Sequence, residues 1–194
     1  GEFKNSNSVV IRNRKNGEIL NELYGEKILI AVGGRPKRPN IQGASLGWTS
    51  DDMFLLEKLP NKILIVGAGY IACEFACILQ GLGVEVTQLV RGERLLRGFD
   101  LELSSALTEA MQSKGINLIF GENISSIKGT PGFLTTSTIT DKEFQSNGVL
   151  FATGREPYLH GLKLEESGVE VINKKIKVDS ESKTNISNIF AIGD

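Results

Sequence analysis

The chain has 194 residues, 40% hydrophobic and 23% charged, with 22 glycines and 5 prolines, the balance of an ordinary folded domain. A net charge of -1 excludes the basic surplus that nucleic-acid binders use. No apolar run approaches the roughly 20 residues that span a bilayer, and two cysteines make no disulfide framework, so a reducing, cytoplasmic setting is expected.

In chain order, "SVVIRNRKNGEIL" reads as two strands joined by a turn at Asn16 and Gly17. "KILIAVGG" follows as a short β-rich run, and "RPKRPNIQGASLG" as a polar loop rich in Pro and Gly. "SDDMFLLEKL" predicts a short helix with Ser50 as N-cap and two acids in its first turn. From Lys62 the pattern becomes strand, helix, strand, helix, strand. "KILIVG" is a buried strand. Residues 69–82 are apolar or small almost all round, which predicts a helix packed on more than one side. "VEVTQLV" is the next strand, 100–114 a helix capped by Asp100 and stopped at Gly115, and "INLIF" a third strand. "FLTTSTIT" and "GVLFATG" read as pieces of a meander.

The expected fold class is therefore α/β, a doubly wound Rossmann-like parallel sheet with an added β-meander. Three strands also end alike: "ILIAVGGRP" at 28–36, "VLFATGREP" at 149–157 and "IFAIGD" at the end of the chain. That echo points to two related nucleotide-binding units interleaved along one polypeptide.

Gly67, Ala68, Gly69, Tyr70, Ile71 and Ala72 match G-x-G-x-x-G/A between a strand and a helix. The first glycine makes the tight turn, the second lets backbone approach a pyrophosphate, and the small sixth residue lets helix and strand pack closely. The helix start then offers free N–H groups and a positive dipole end to phosphate. About 20 residues on, where NAD binders carry an acid for the ribose 2′-OH, this chain has Arg91, with Arg94 and Arg97 behind it. A carboxylate there would repel a 2′-phosphate, whereas guanidinium groups bind it bidentately. One such charge-assisted bond is worth roughly 1.5–3 kcal/mol, or about tenfold to a hundredfold in favour of NADPH over NADH. A solvated basic loop balanced by Glu93 and Asp100 is the plainer reading; the position favours NADP(H).

Glu74, the one charged residue between Gly69 and Leu82, serves either the helix dipole or a nicotinamide in the cofactor cleft. Cys73 and Cys77 lack CxxC spacing and read as core residues. His160 reads as a surface residue, and no metal site is expected.

"GAGYIACEFA", "VRGERLLRGFD", "ATGREP" and "IFAIGD" together resemble the flavoprotein disulfide reductases, most closely the branch that reduces glutathione disulfide. The resemblance covers essentially the whole chain. It implies that Ala68, Ile71, Glu74, Arg91, Arg97 and Gly154 contact NADP, that Tyr70 covers the nicotinamide pocket, and that Gly33 and Asp194 touch FAD. It divides the chain into a partial FAD-domain segment at 1–59, an NADP-binding domain at 60–180 and a return segment to the FAD domain at 181–194. Val32, Tyr158, Cys73 and Cys77 depart from the usual residues of that family without removing an expected cofactor contact.

The family's FAD glycine motif, C-x4-C redox pair and His-Pro base are not found in these residues. The resemblance therefore implies an enzyme whose NADPH site lies here, with no catalytic residue among the 194 and no turnover by this chain alone. It implies NADPH and glutathione disulfide as partners, no nucleic acid or membrane, and a homodimer formed through a domain not found here. A plastid location is expected if a transit peptide precedes the segment. Another NADPH-dependent disulfide reductase of the same build, or a non-catalytic NADP-binding module, stands as the alternative.

Overall fold

The computed structural model of the chain describes residues 1–193. They form two compact units, one of Pro36–Gly154 and one of Gly1–Arg35 with Arg155 onward.

The Pro36–Gly154 unit is built on five parallel strands in the order Trp48–Thr49, Gly148–Phe151, Lys62–Val66, Glu85–Val90 and Asn117–Phe120. A strand buried on both faces must be apolar at every position rather than at alternate ones, and Lys62–Val66 is so from Ile63 on. Ile63 and Ile65 pack on one face, Leu64 and Val66 on the other, all four at most 4% exposed. Each such side chain contributes about 1.5–3 kcal/mol relative to leaving it in water. Neighbouring strands divide the same way: Val86, Val90 and Leu150 share the face of Ile63, and Leu89, Val149 and Phe151 share that of Leu64.

The two faces have different covers. The helices Tyr70–Gly81 and Leu101–Ser113 supply Ala72, Cys73, Ala76, Leu79 and Met111 to the first. The second is covered by an antiparallel meander of Ile124–Thr130, Phe133–Thr138 and Glu143–Ser146, which supplies Ile124, Ile127 and Leu134. "GVLFATG" is thus not part of that meander. Its Gly148–Phe151 sits inside the parallel sheet, because an all-buried run fits between two strands and not on a half-solvated ribbon.

Helix Tyr70–Gly81 differs from its all-round reading too. Its buried residues, 72, 73, 76 and 79, form one stripe, while Tyr70 and Ile78 are each 55% exposed. A single sheet lies under this helix, so only one side of its apolar surface finds a partner. The first short helix, Ser50–Met53, is capped by Thr49 rather than Ser50. The Thr49 N–H and hydroxyl both donate to Asp52 Oδ2, at 2.7 and 2.8 Å, in a capping box. Asp100 caps Leu101–Ser113 as expected, its Oδ1 accepting from the N–H groups of Glu102 and Leu103.

The other unit contains the hairpin Ser8–Arg12 and Ile19–Tyr24, with Glu2–Phe3 added beside the first strand. It also contains a parallel pair, Ile28–Ile30 and Ile189–Ala191. Phe3, Ile30, Leu164, Val169 and Ile189 form its core. Two of the three look-alike strands therefore lie side by side, and the tail of the first, Gly34–Pro36, forms a two-stranded sheet with Arg155–Pro157, the tail of the remaining look-alike. The unit boundaries at 35/36 and 154/155 differ from those read in the sequence at 59/60 and 180/181. Trp48–Thr49 is paired to Gly148–Phe151, which holds residues 36–59 with the large sheet.

Candidate nucleotide site

In the five-stranded sheet the chain runs outward from Lys62–Val66 to Asn117–Phe120, then returns to the other side of Lys62–Val66 with Gly148–Phe151. The strand order reverses between those two neighbours. At the carboxyl ends of strands about such a switch point, the connections diverge and leave a crevice. The glycine turn follows one of the two strands and Ala152–Gly154 follows the other.

The turn is fixed by backbone geometry. Gly67 has φ +146°, and a Cβ there would overlap the Ala152 carbonyl. Only glycine meets both conditions. Gly69 is the N-cap of Tyr70–Gly81, with no side-chain hydrogen bond closing the helix start. A Cβ placed on it would find no neighbouring atom within 4 Å. The helix start is thus uncapped and open, with orphan N–H groups and a positive dipole end facing outward. Ala68 and Ile71 are half-buried, and Tyr70 and Glu74 exposed.

The carbonyls of the same turn are all engaged. Gly67 O accepts from Gln88 Nε2 at 2.9 Å, Ala68 O from the Leu96 N–H at 2.7 Å, and Gly69 O from the Cys73 N–H at 3.1 Å. The Leu96 bond carries the arginine loop to the turn. Leu95 and Leu96 are buried in the core of the helix face, and Ser104 Oγ holds the Leu95 carbonyl at 2.8 Å. Buried leucines anchor the loop and leave its arginines outside: Arg91 and Arg97 are exposed, and among the described residues neither side chain has a hydrogen-bond or ion-pair partner. Arg94 differs from both. It is half-buried, and its Nη1 is enclosed without a partner among the described residues.

The structure therefore gathers Gly67, Ala68, Gly69, Tyr70, Ile71, Glu74, Arg91, Arg97 and Gly154 into one unit, the arginine loop and the Ala152 turn each touching the glycine turn directly. Gly154 is exposed, with φ +120°. Gly33 belongs to the other unit, at the end of Ile28–Ile30, where a Cβ on Gly193 would lie 3.9 Å from the Gly33 Cα. Asp194 lies outside the described residues.

Cys73 is buried, and burial pushes its thiol pKa up. Cys77 is exposed, contrary to the core reading. Four residues advance a helix by about 400°, enough here to carry the second thiol off the edge of the buried stripe. His160 is exposed.

A family model described as pyridine nucleotide-disulphide oxidoreductase matches residues 2–194. The chain belongs to this family. Among its relatives are the glutathione reductase of Nostoc sp., 40% identical over 182 residues, and that of Burkholderia cepacia, 45% identical over 168. These matches cover 87% and 86% of this chain, and 40% and 37% of the relatives. The mitochondrial thioredoxin reductase 2 of Drosophila melanogaster is 40% identical over 181 residues, 89% of this chain and 35% of that protein. Among solved structures, the HOCl-induced flavoprotein disulfide reductase RclA of Escherichia coli superposes with a TM-score of 0.90 at 27% identity, covering all of this chain and 44% of that one. The chain thus spans about two fifths of the length of these relatives.

Sequence reasoning passed over Gln88 and Leu96, which hold two of the three turn carbonyls. Gln88 had a signal, since it is a polar residue at the same face as Val86 and Val90 in a buried strand. Leu96 had none, because its contribution comes from its backbone N–H.

Proposed function

We propose that this chain is the NADPH-binding part, with flanking FAD-domain segments, of an FAD-dependent disulfide reductase that acts on glutathione disulfide. The observation that carries the reading is a pair of exposed guanidinium groups, Arg91 and Arg97, without partners among the described residues, on a loop bonded to an open and uncapped glycine turn. The nucleotide's pyrophosphate lies on the N–H groups at the helix start, and its 2′-phosphate is held by Arg91 and Arg97. Ala68, Ile71 and Gly154 line its path, and Tyr70 and Glu74 reach the nicotinamide end. Bound NADPH supplies a hydride. This chain's residues bind and orient the nucleotide that delivers it.

The pieces of the smaller unit, before Pro36 and after Gly154, belong in this reading to the FAD domain. Gly33 and Asp194 touch FAD there, and the open space about Gly33 fits a close backbone approach. The thiol–disulfide step is not assigned to Cys73 or Cys77, since one is buried and the spacing is i, i+4. The similarity to glutathione reductases favours glutathione disulfide as the substrate of the whole protein. The 40% identity to a thioredoxin reductase supports, as a second reading, another NADPH-dependent disulfide reductase.

Titration of the protein with NADPH and with NADH, followed by nucleotide fluorescence, tests the site. Saturable binding with a preference for NADPH of at least about tenfold is expected. Equal affinity would remove the 2′-phosphate assignment. In the protein that carries this chain, NADPH-dependent reduction of glutathione disulfide faster than of thioredoxin disulfide is expected, and the reverse order would select the second reading.

A further inference from the structure

Gln88 is fully buried in strand Glu85–Val90, on the sheet face that carries the helices. A primary amide in an apolar core costs stability unless its polar atoms are bonded. This one is only half satisfied. Nε2 donates to the Gly67 carbonyl at 2.9 Å and lies 3.9 Å from Cys73 Sγ, while Oε1 is enclosed with no partner among the described residues. Flipping the amide gives no relief, because Oε1 would then face the Gly67 carbonyl, acceptor against acceptor. A leucine or methionine would fill the same space without an orphaned oxygen. The glutamine's short hydrogen bond is therefore with the first residue of the glycine turn, beside a longer one to Cys73 Sγ.

Gly67 is also held from the next residue of the same strand, since its N–H donates to Leu89 O at 3.0 Å. Residues 88 and 89 thus grip both polar groups of one peptide-bearing glycine. With the carbonyls of Gly67, Ala68 and Gly69 all engaged, the N–H groups after Gly67 at the helix start are left for an anion.

We infer that Gln88 is a positioning residue for the dinucleotide pyrophosphate, holding the Gly67 carbonyl back so that the turn presents donors alone. This rests on the proposed nucleotide site and adds a distinct property to it. Gln88 acts on the part common to NADPH and NADH, whereas Arg91 and Arg97 act on the 2′-phosphate.

The test compares the wild-type protein with Gln88→Met and Gln88→Leu, measuring Kd for NADPH, NADH and 2′-AMP. The last carries the 2′-phosphate and no pyrophosphate. Loss of one directed hydrogen bond is expected to weaken NADPH and NADH by the same factor, about fivefold to tenfold, with 2′-AMP affinity retained and the melt of the Trp48 fluorescence still cooperative. Unchanged dinucleotide affinity in whichever variant folds would overturn the inference. So would equal loss for 2′-AMP, which marks Gln88 as a core residue only. Wild-type protein that binds neither NADPH nor 2′-AMP would overturn the nucleotide reading and this inference with it. Wild-type binding that Gln88→Met leaves untouched would overturn this inference alone.

Discussion

The Leu96 N–H donates to the Ala68 carbonyl at 2.7 Å, joining the loop that carries the arginines to the turn that carries the glycines. Leu96 holds φ +49° to do so, an uncommon conformation for a leucine, and its buried side chain keeps it there. The two halves of the candidate site are thereby joined directly, backbone to backbone.

If Arg91 and Arg97 bind a 2′-phosphate, Arg91→Glu combined with Arg97→Ala should lower NADPH affinity about tenfold to a hundredfold and spare NADH. Both side chains are exposed and have no partner among the described residues, so the melting temperature should stay within a few degrees of wild type. Competitive titration of the two nucleotides reads the outcome, and equal loss for both would count against the assignment.

Gly67 and Gly69 should respond differently to alanine. Gly67→Ala places a Cβ against the Ala152 carbonyl in a strained backbone conformation, and is expected to cost about 1–3 kcal/mol of stability. Denaturant melts followed on Trp48, the one tryptophan of the chain, measure it. Gly69→Ala meets no atom and has φ -81°, so stability should hold while nucleotide binding weakens, because the new methyl occupies the space needed for close backbone approach.

The two thiols should separate by reactivity. In the native protein one equivalent of a thiol reagent is expected to react promptly, at the exposed Cys77. Cys73, buried and with its pKa raised by that burial, should react only on unfolding, since the thiolate is the attacking form. Two fast equivalents in the native protein would contradict the burial of Cys73.

Glu122 provides a pH test. Its side chain is only 4% exposed and accepts from Lys142 Nζ at 2.7 Å and from Thr140 Oγ1 at 2.8 Å. The hydrogen bond from Lys142 first, and that from Thr140 next, hold its carboxyl below the usual carboxylate range. A folded-state pKa below the unfolded one contributes stability that is present above the unfolded value, about 4.3, and is lost as pH falls through the folded one. Glu122→Gln should therefore be less stable than wild type at neutral pH, with the gap closing below about pH 4. A gap that stayed constant with pH would rule out the carboxylate as its source. Melts between pH 3 and 7 test this.

The sequence by itself determined the glycine turn. Gly67, Gly69, Ala72 and the arginines that follow are local requirements of one strand, one turn and one helix start, and local geometry is written in local spacing. It determined the Asp100 cap for the same reason, and the motif set carried the resemblance to the disulfide reductases. Tertiary structure alone decided which strands are neighbours, and with them where the crevice lies. "GVLFATG" entered the parallel sheet because its all-apolar run needed cover on both faces, and which strands supply that cover is not written in the segment. Cys77 came out exposed because a single sheet packs under its helix, and the number of partners a helix finds is not a property of the helix. Gln88 and Leu96 acquired their tasks the same way. Each bonds a carbonyl more than 20 residues away in the chain, and such a contact exists only once the strands are side by side.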